Sequence, residues 1–445
     1  MYDHRTRASL SRCLADAFLA GVWTEDRLAV RAGQALTPPR PRWVRPLARE
    51  VLGAYHRPPA DRARELARFI ALQLERMPHS ARAAPRVRRW FVAELAMGRR
   101  RWPVPYLASV GALAEWLAIE PGHLDWLADV RGLERTVGQQ KLRNYRYVWL
   151  DRAGGPPRLT ERPKARLKAI QRTLLHDLLD WIPAHGAAHG FTRGRSVRSH
   201  AAAHTGQHVV MRLDLEDFFA SVAASRVYGI FRAAGYPEPV AHTLTALTTN
   251  ALPVEEWASV ARPRDSSLIG AHDRLGRRLA TPHLPQGAPT SPALANLASF
   301  TLDRRLAALA DTNGATYSRY ADDLTFSGPR SLLRAAGWFR AMVAGLAREE
   351  GFMVNERKSA LMTRAGRQRV CGVVVNEHPN VARAEYDELK AILHNAVRSG
   401  PSAQNRGGVA DFRAHLLGRI AWVESLNPGR GERLRARFAR IDWDG

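Results

Sequence analysis

Residues 315–328 read Ala-Thr-Tyr-Ser-Arg-Tyr-Ala-Asp-Asp-Leu-Thr-Phe-Ser-Gly, and the adjacent carboxylates of Asp322 and Asp323 stand near the middle of this segment. Both flanks are rich in aromatic and β-branched residues and end at turn formers, which predicts a hairpin with the aspartates at its turn. Two negative charges held side by side repel each other unless a cation neutralises them. Because Mg²⁺ prefers carboxylate oxygen, the pair indicates either a metal site or an acidic surface turn.

A second acidic segment favours the metal site. Residues 209–219 read Val-Val-Met-Arg-Leu-Asp-Leu-Glu-Asp-Phe-Phe, so an apolar strand runs directly into Asp214. A β-sheet can place this strand beside the hairpin although the two are distant in sequence. Three carboxylates would then converge, enough to hold two metal ions ~3.5–4 Å apart that clamp the attacking and leaving oxygens of a phosphoryl transfer.

Two further regions accompany these carboxylates. Residues 284–292 read Leu-Pro-Gln-Gly-Ala-Pro-Thr-Ser-Pro and lead into an apolar helical stretch. The backbone of such a Gly/Pro loop can approach a flat ligand closely. The other region consists of residues 351–358, Gly-Phe-Met-Val-Asn-Glu-Arg-Lys, and residues 369–376, Arg-Val-Cys-Gly-Val-Val-Val-Asn.

In this order, the segments resemble motifs A, B, C and D/E of reverse transcriptases, and more narrowly those of bacterial retron reverse transcriptases. The tetrad Tyr-Ala-Asp-Asp at residues 320–323 and the loop Pro-Gln-Gly-Ala-Pro-Thr-Ser-Pro at residues 285–292 are the most specific matches. Shorter matches lie at residues 158–172, 188–196, 417–428 and 441–443. The resemblance covers roughly residues 135–445.

Two positions depart from the retron pattern. The family usually carries Asn-Ala-x-x-His before motif A, whereas this chain has His200-Ala-Ala-Ala-His204. The family's Val-Thr-Gly near motif E is replaced by Val-Cys-Gly, with Cys371 at the threonine position. Without nearby cysteines or an HExxH pattern, the histidine spacing does not favour a zinc site. By resemblance, His204 is expected to support RNA contact or priming geometry.

The resemblance implies an α+β fold with the right-hand architecture of polymerases. In this architecture an antiparallel sheet packed on helices forms the fingers and palm, and a helical thumb follows. We expect a helical N-terminal extension over residues 1–130, fingers and palm over residues 131–376, and a thumb that binds RNA or a duplex over residues 377–445.

Local patterns predict individual elements. Residues 145–150 and 158–160 are typical of a fingers hairpin with a turn at residues 154–157, and residues 164–181 of an amphipathic helix. The polar region 262–278 is expected to form a hairpin or an insertion. In the N-terminal extension an apolar stripe predicts a helix from Asp61 to Met77. The basic stretch at residues 99–103 either contacts RNA or is a solvated linker.

The resemblance also assigns metal and sugar contacts. Asp214 and Asp322 are expected to bridge two Mg²⁺ ions, with Mn²⁺ as a substitute. The Leu215 carbonyl would help to hold the nucleotide's metal, and Asp323 would be a secondary ligand. Phe219 is expected to stack under the sugar and to exclude a ribose 2′-OH, which selects dNTPs.

Further residues are assigned to the nucleotide and to RNA. Gln286 and Gly287 would border the nascent base pair, Arg158 and Lys164 would bind the triphosphate, and Lys358 would protonate pyrophosphate or pair with template phosphate. The residues expected to contact RNA are Arg195, His204, Arg419 and Asn427.

The composition agrees with a nucleic-acid partner. The chain has 445 residues, a net charge of +25 and a pI near 11.2, which favours a polyanion. A membrane surface is a weaker alternative because no basic amphipathic helix stands out, and no apolar run approaches the ~20 residues of a membrane helix. Cys13 and Cys371 are too few for a disulfide framework. The low number of cysteines, together with the lack of an apolar signal core at the N-terminus, favours the reducing cytoplasm.

The leading hypothesis is a retron reverse transcriptase that copies part of a cognate structured noncoding RNA into single-stranded DNA. By resemblance, synthesis starts at the 2′-OH of an internal guanosine and leaves a 2′,5′ branch, often in antiphage defence with a separately encoded effector protein. One alternative is a group II intron-like or other defence-associated reverse transcriptase with different priming. The other is an RNA-binding scaffold for which catalysis is dispensable.

Overall fold

The computed structural model describes residues 4–37, 39, 41–76, 85–151 and 156–443. The chain forms two compact units, each built from two separate parts of the sequence. The first contains Met1–Ile182 and Ala223–Ser291, and the second contains Pro183–Val222 and Pro292–Gly445. In the described ranges, no helix has both the length and the apolar character needed to cross a membrane.

The secondary structure is mostly helical. In chain order the elements are α1 (His4–Leu19), α2 (Glu25–Ala35), β1 (Leu36–Thr37), α3 (Val44–Ala54), α4 (Ala63–Arg76), β2 (Arg86–Val87), α5 (Val110–Trp116), α6 (Pro121–Ala128), β3 (Tyr145–Leu150), β4 (Arg158–Pro163), α7 (Ala165–Asp177), α8 (Val197–Ala202), β5 (Val209–Leu215), α9 (Ala224–Ala233), α10 (Glu238–Thr248), α11 (Val254–Ala258), α12 (Ser266–Leu279), α13 (Ser291–Ala298), α14 (Phe300–Thr312), β6 (Thr316–Tyr320), β7 (Asp323–Gly328), α15 (Arg330–Arg334), α16 (Ala336–Glu349), β8 (Val354–Thr363), β9 (Arg369–Val370), β10 (Val373–Val374), α17 (Arg383–Ser399), α18 (Phe412–Leu426) and α19 (Pro428–Phe438).

The N-terminal helices α1 to α4 share one buried apolar core. In α4 the side chains of Leu66 and Ile70, one turn apart, are fully buried in it, which confirms the predicted apolar stripe. The helix begins at Ala63 rather than at Asp61. The Asp61 carboxylate instead pairs with the Arg232 guanidinium at 3.2 Å. The predicted end at Met77 lies outside the described residues.

The hairpin predicted from residues 145–150 and 158–160 is confirmed as the antiparallel pair β3–β4, whose register runs from Tyr145↔Pro163 to Leu150↔Arg158. Its predicted turn lies partly outside the described residues. The polar region 262–278 contains the helix α12, so the expectation of a hairpin was wrong. The helix forms because the Asp265 side chain accepts a hydrogen bond from the Ser267 N–H at its start, and because its apolar stripe is buried.

The second unit is built on a four-stranded antiparallel sheet with the order β6-β7-β5-β8. The apolar start of β5, Val209–Met211, is fully buried. This near-continuous apolar run suits an inner strand covered on both faces. The sheet therefore holds the strand that ends in an acidic residue next to the hairpin β6–β7.

Helices α17, α18 and α19 lie in the region after residue 377, which was expected to be helical. They pack around a core with the short strands β9 and β10. Helices combined with small antiparallel sheets make the chain α+β, as predicted. The division into fingers, palm and thumb, and the boundaries near residues 130 and 376, remain predictions.

Candidate active site

The predicted hairpin carries the acidic pair at its turn. Strands β6 and β7 pair from Thr316↔Ser327 to Tyr320↔Asp323, so only Ala321 and Asp322 lie in the connection. Ala321 has a φ of +55°, the left-handed conformation that two-residue hairpin turns require. Asp322 therefore projects from a tight turn and Asp323 from the first position of a strand.

The sheet brings Asp214 to this turn. In the antiparallel β5–β7 ladder Asp214 lies directly opposite Asp323. Directly opposed residues on antiparallel strands have Cβ atoms about 4.5–5.5 Å apart, on the same face of the sheet. The Leu215 N–H donates to the Asp322 carbonyl at 2.9 Å, which ties the end of β5 to the turn. The three predicted catalytic carboxylates are thus gathered at one end of one sheet.

Two basic side chains lie close to the carboxylates of this site and partly neutralise their negative charge. The Lys358 ammonium lies 2.9 and 3.2 Å from the two carboxylate oxygens of Asp214. The Arg212 Nε lies 3.0 Å from Asp323 Oδ2. The pKa of Asp323 is raised to about 6, first by burial and also by the charges of Asp322 and Asp214, although Arg212 lowers it. The site therefore concentrates negative charge that these two cations only partly offset.

A divalent cation fits this chemistry. Within the described residues, no three His, Cys, Asp or Glu side chains are arranged as a complete metal site. The available donors at the turn are nevertheless carboxylate oxygens, the hard ligands that Mg²⁺ and Mn²⁺ prefer. A bound cation would also relieve the repulsion that raises the pKa of Asp323. Asp214, Asp322 and Asp323 are the residues that could hold it.

A fully buried arginine, Arg319, supports the acidic turn through hydrogen bonds. Arg319 donates to Asp303 through Nε at 2.8 Å and Nη2 at 2.6 Å. Its Nη1 donates to Asn296 Oδ1 and to the Ala321 carbonyl, each at 3.0 Å. The guanidinium therefore fixes the backbone of the residue immediately before Asp322. The sequence motif includes Arg319, and the available signal for its role was its position in the strand directly before the turn.

A buried polar network lies beside the hairpin. His204 forms hydrogen bonds of 2.7 Å with Ser327 through Nδ1 and with Ser318 through Nε2. His200 also bonds Ser318 at 2.7 Å and reaches Thr325 at 3.3 Å, and Thr325 in turn contacts Asp323 Oδ1 at 3.3 Å. Both imidazoles are fully buried. Both ring nitrogens of His204 are thus occupied within the protein, and its expected contact to RNA stays a prediction.

The two departures from the retron pattern both lie near Asp323. His200, at the usual asparagine position, reaches Asp323 through Thr325. The Cys371 thiol lies 3.8 Å from Asp323 Oδ2. Burial, followed by the charge of Asp323, raises the pKa of Cys371 to about 12, so the thiol stays protonated at neutral pH.

The paired phenylalanines after Asp214 have different environments. Phe218 is buried, stacks on Phe352 with ring centroids 5.7 Å apart, and lies beneath the Arg319 guanidinium at 5.5 Å. Phe219 is only half-buried. Phe218 is therefore the core residue of the pair, which leaves Phe219 for the predicted sugar contact.

The predicted base-pair loop lies in the first unit, next to β4. The Glu161 N–H donates to the Gln286 carbonyl at 2.8 Å. The Gln286 side-chain oxygen, in the amide orientation that satisfies both groups, accepts from the Arg158 guanidinium. Gly287 has a φ of +127°, and a Cβ added there would lie 2.8 Å from the Glu161 carbonyl oxygen, so only glycine fits. The structure thus brings together three of the residues predicted to contact the nucleotide.

The remaining assigned residues have structural partners. Lys164 Nζ donates to the carbonyls of residues 140 and 141, at 2.6 and 2.9 Å. Arg195 contacts His189 at 3.3 Å, and Arg419 contacts Glu388 at the same distance. Asn427 caps α19, since its side-chain oxygen accepts from the N–H of residue 430 at 3.1 Å. Their contacts to triphosphate or RNA remain predictions.

Comparison with known proteins places this site in a family. Residues 153–389 match the family model described as reverse transcriptase (RNA-dependent DNA polymerase). The chain is 44% identical over 299 residues to the retron Mx65 reverse transcriptase of Myxococcus xanthus, a match covering 67% of this chain and 65% of that enzyme. It is 34% identical over 353 residues to the retron Mx162 reverse transcriptase of the same organism, covering 76% of this chain and 67% of that enzyme.

A more distant relative shows the same relationship. The retron Ec86 reverse transcriptase of Escherichia coli is 27% identical over 303 residues, which cover 67% of this chain and 81% of that enzyme. The matched chain spans just under two thirds of the Mx65 enzyme. The family model covers more than half of this chain and includes Asp214, Asp322 and Asp323. The chain therefore belongs to the reverse transcriptases, and among them to the bacterial retron type.

Proposed function

We propose that this protein is the RNA-directed DNA polymerase of a retron, which copies part of a cognate noncoding RNA into single-stranded DNA. The observation that carries the proposal is the register of β5 against β7, which sets Asp214 opposite Asp323 beside the Asp322 turn. Two carboxylate-bearing strands held in this way supply the fixed negative site that metal-assisted nucleotidyl transfer needs. The named retron relatives support the choice of template and product.

In this mechanism Asp214 and Asp322 would hold two Mg²⁺ ions, for which Mn²⁺ could substitute, and Asp323 and the Leu215 carbonyl would be further ligands. When bound, such ions lower the pKa of the attacking hydroxyl and neutralise the triphosphate and the leaving pyrophosphate. The chain itself keeps the carboxylates in register through the sheet and holds the turn through Arg319. Lys358 protonates pyrophosphate or pairs with template phosphate, a role that its contact with Asp214 supports.

The remaining roles concern the selection of dNTPs and the binding of the nucleotide and of the template–primer duplex. Phe219 excludes a ribose 2′-OH by its bulk, so that dNTPs are preferred. Gln286 and Gly287, held against β4, border the nascent base pair, and Arg158 reaches the triphosphate. The C-terminal helices α17 to α19 act as the thumb on the template–primer duplex, where shape and backbone contacts dominate recognition.

The family's priming and biology complete the proposal. Synthesis starts from a 2′-OH of the RNA, so that the DNA remains joined through a 2′,5′ branch, and the product serves in antiphage defence with a separately encoded effector. A group II intron-like enzyme would prime differently, and an RNA-binding scaffold would make no DNA.

The test is to express the protein with its native flanking DNA and to characterise the nucleic acid that co-purifies with it. Asp322→Asn and Asp214→Asn remove one site charge each without changing size, and Asp311→Asn on the exposed face of α14 is the matched control. We expect a discrete DNA, sensitive to a 2′,5′-debranching enzyme, from wild type and the control but not from the site variants. Unbranched DNA would move the protein to another priming class. RNA alone, equal in all preparations, would leave a binding scaffold and overturn the polymerase proposal.

A further inference from the structure

A long irregular segment crosses the first unit. It begins with β2, and residues 88–108 then contain neither helix nor strand. Irregular segments longer than about 12–15 residues are uncommon in compact domains and are usually functional. We call residues 86–106 the strap.

The strap is fixed along its length by its own backbone. The Arg88 N–H donates to the Ala35 carbonyl at 2.8 Å, the Glu94 N–H to the Leu19 carbonyl at 3.1 Å, and the Gly98 N–H to the Gly235 carbonyl at 2.8 Å. Phe91 and Ala93 pack against the core of α1 to α4. The strap is therefore held in place by its backbone and by part of its side chains, while the remaining side chains are exposed to solvent.

The side chains presented to solvent are strongly basic. The strap contains one glutamate and six arginines, a net charge of +5, and all six arginines are exposed: Arg86, Arg88, Arg89, Arg99, Arg100 and Arg101. In the described part of the chain none of the six pairs with a carboxylate. Arginines of the neighbouring helices do pair, as Arg45 and Arg49 do with Glu25. The strap therefore carries uncompensated positive charge that favours a polyanion.

Aromatic side chains are interleaved with these arginines. Trp90 is 49% exposed and Tyr106 is 59% exposed. Guanidinium groups lie over aromatic rings at both ends of the strap, Arg89 over Phe91 at 5.0 Å and Arg100 over Tyr106 at 5.5 Å. Exposed aromatic rings beside a basic track are the pattern with which proteins bind single strands, since unpaired bases stack on the rings while arginines hold the phosphates.

The same features disfavour other polyanions. A duplex hides the faces of its bases, so exposed rings would have nothing to stack on. A membrane-surface element is an amphipathic helix with an apolar face, whereas residues 88–108 contain no helix and carry arginines at both ends of the strap. An unpaired nucleic-acid strand is the polyanion that uses both the charge and the rings.

We infer that the strap, which contains none of the residues assigned to catalysis or to the nucleotide, binds a single-stranded segment of RNA. The choice of RNA rather than DNA rests on the proposed function, in which a structured RNA with unpaired segments is the partner. The strap would hold that RNA while another part of it is copied.

The experiment measures binding of the full-length protein to a fluorescent, unstructured single-stranded RNA by anisotropy, with excess primer–template duplex present to occupy the polymerase site. One variant replaces the phosphate contacts (Arg99→Gln, Arg100→Gln and Arg101→Gln), and another replaces the exposed rings (Trp90→Ala and Tyr106→Ala). The control removes the same charge from exposed arginines elsewhere in the first unit, Arg27→Gln, Arg57→Gln and Arg131→Gln. Single-stranded DNA and duplex RNA of equal length serve as competing probes.

We expect the arginine variant to bind the RNA at least tenfold more weakly and to lower the slope of log K against log salt by about 2, since each phosphate contact contributes about 0.7 on single strands. The ring variant should lose roughly fivefold or more with its salt slope unchanged, because stacking is not electrostatic. The control should bind as wild type, and all variants should extend an annealed primer normally.

Three results would overturn the inference: unchanged binding by both strap variants, an equal loss in the control, or binding of single-stranded DNA as tight as that of RNA. Binding is measured without DNA synthesis, so the two proposals can fail separately. If the wild-type protein made no DNA while the strap variants still bound RNA more weakly than wild type, only the polymerase proposal would be refuted.

Discussion

Arg319 and Asp303 form a fully buried ion pair with two hydrogen bonds, Nε to Oδ1 at 2.8 Å and Nη2 to Oδ2 at 2.6 Å. Burial disfavours the charged guanidinium, but the charge of Asp303 and its hydrogen bonds hold the pKa of Arg319 above its usual range. The remaining Nη1 donor reaches Asn296 and the Ala321 carbonyl. The pair is therefore both a buried charge centre and the support of the acidic turn.

Arg319→Lys should lower the free energy of unfolding by about 3–5 kcal/mol, because a single ammonium cannot replace both bonds to Asp303 and also reach the turn. Urea unfolding and primer extension measure the two consequences. Arg304→Lys, at an exposed position one residue from Asp303 in α14, is the matched control and should change neither.

An apolar double replacement separates stability from positioning. Asp303→Leu with Arg319→Met should recover part of the stability lost in Arg319→Met alone, because no unpaired charge remains buried. Primer extension should stay impaired, since the Ala321 carbonyl has no donor. Full activity in the stable double variant would show that the guanidinium does not position the turn.

Gly190 packs closely against the acidic turn. A Cβ built on Gly190 would lie 2.7 Å from the Ala321 nitrogen and 3.2 Å from the carbonyl carbon of Tyr320. These are backbone atoms, so the turn itself must move to accommodate a methyl group. We predict that Gly190→Ala reduces primer extension about a hundredfold, the cost of roughly 1 Å of misplacement, and costs about 1–3 kcal/mol of stability through overpacking.

The control for this prediction is Gly186→Ala in the same loop, where an added Cβ meets no atom within 4 Å. Its polymerase activity should equal that of wild type. If Gly190→Ala were equally active, the turn would be free to shift without loss, and a rigid turn could not be part of the mechanism.

The local elements of this site could be predicted because their signals are local. The aromatic and β-branched residues on both sides of Asp322 and Asp323 specify two strands and a turn, and the apolar run before Asp214 specifies an inner strand. Motif resemblance then predicted that these strands lie together. None of this required knowledge of distant contacts.

The partners of these residues could not be predicted in the same way. Lys358 reaches Asp214 because the β5–β8 register shifts between Arg212 and Asp214, a bulge that leaves Lys358 outside the ladder pairs. Arg319 meets Asp303 because α14 packs on β6. Such contacts depend on register and helix packing, which single-sequence patterns leave undetermined.

A second buried pair supports the loop of Gln286. Glu161 Oε2 lies 3.0 Å from His283 Nε2, and Glu161 Oε1 accepts from Asn250 at 2.8 Å. Burial alone would lower the pKa of His283, but the charge and hydrogen bond of Glu161, with the Thr281 carbonyl, raise it above its usual value. The pair thus contributes stability that is complete below about pH 6.5, the unperturbed histidine value, and that is lost as the pH rises through the raised pKa.

Glu161→Gln keeps the shape but removes this charge. We expect the stability difference between wild type and Glu161→Gln to be largest near pH 6 and to narrow at higher pH, where His283 is neutral in both. Thermal unfolding from pH 6 to pH 9 measures the difference. Glu120→Gln, on an exposed residue of the same unit, is the control. A stability difference that does not depend on pH would mean that His283 is not charged in the folded protein.

The buried histidines of the second unit predict the opposite pH dependence. Burial lowers the pKa of His204 to about 3, with His189 contributing, and lowers the pKa of His200 to about 2, with His204, His189, Arg212 and Arg319 contributing. These imidazoles are neutral when folded and bind protons when unfolded. Their contribution to stability is complete above about pH 6.5 and is lost as the pH falls toward these lowered values.

His204→Asn removes one of these titrating groups, and the slope of unfolding free energy against pH isolates its effect from any loss of packing. Between pH 6 and pH 4 we expect the slope to fall by up to about 1.4 kcal/mol per pH unit, the contribution of one proton. His208→Asn changes a solvent-exposed histidine in the same segment and should leave the slope of wild type. An unchanged slope in His204→Asn would show that the His204 ring binds a proton as readily in the folded protein as in the unfolded chain.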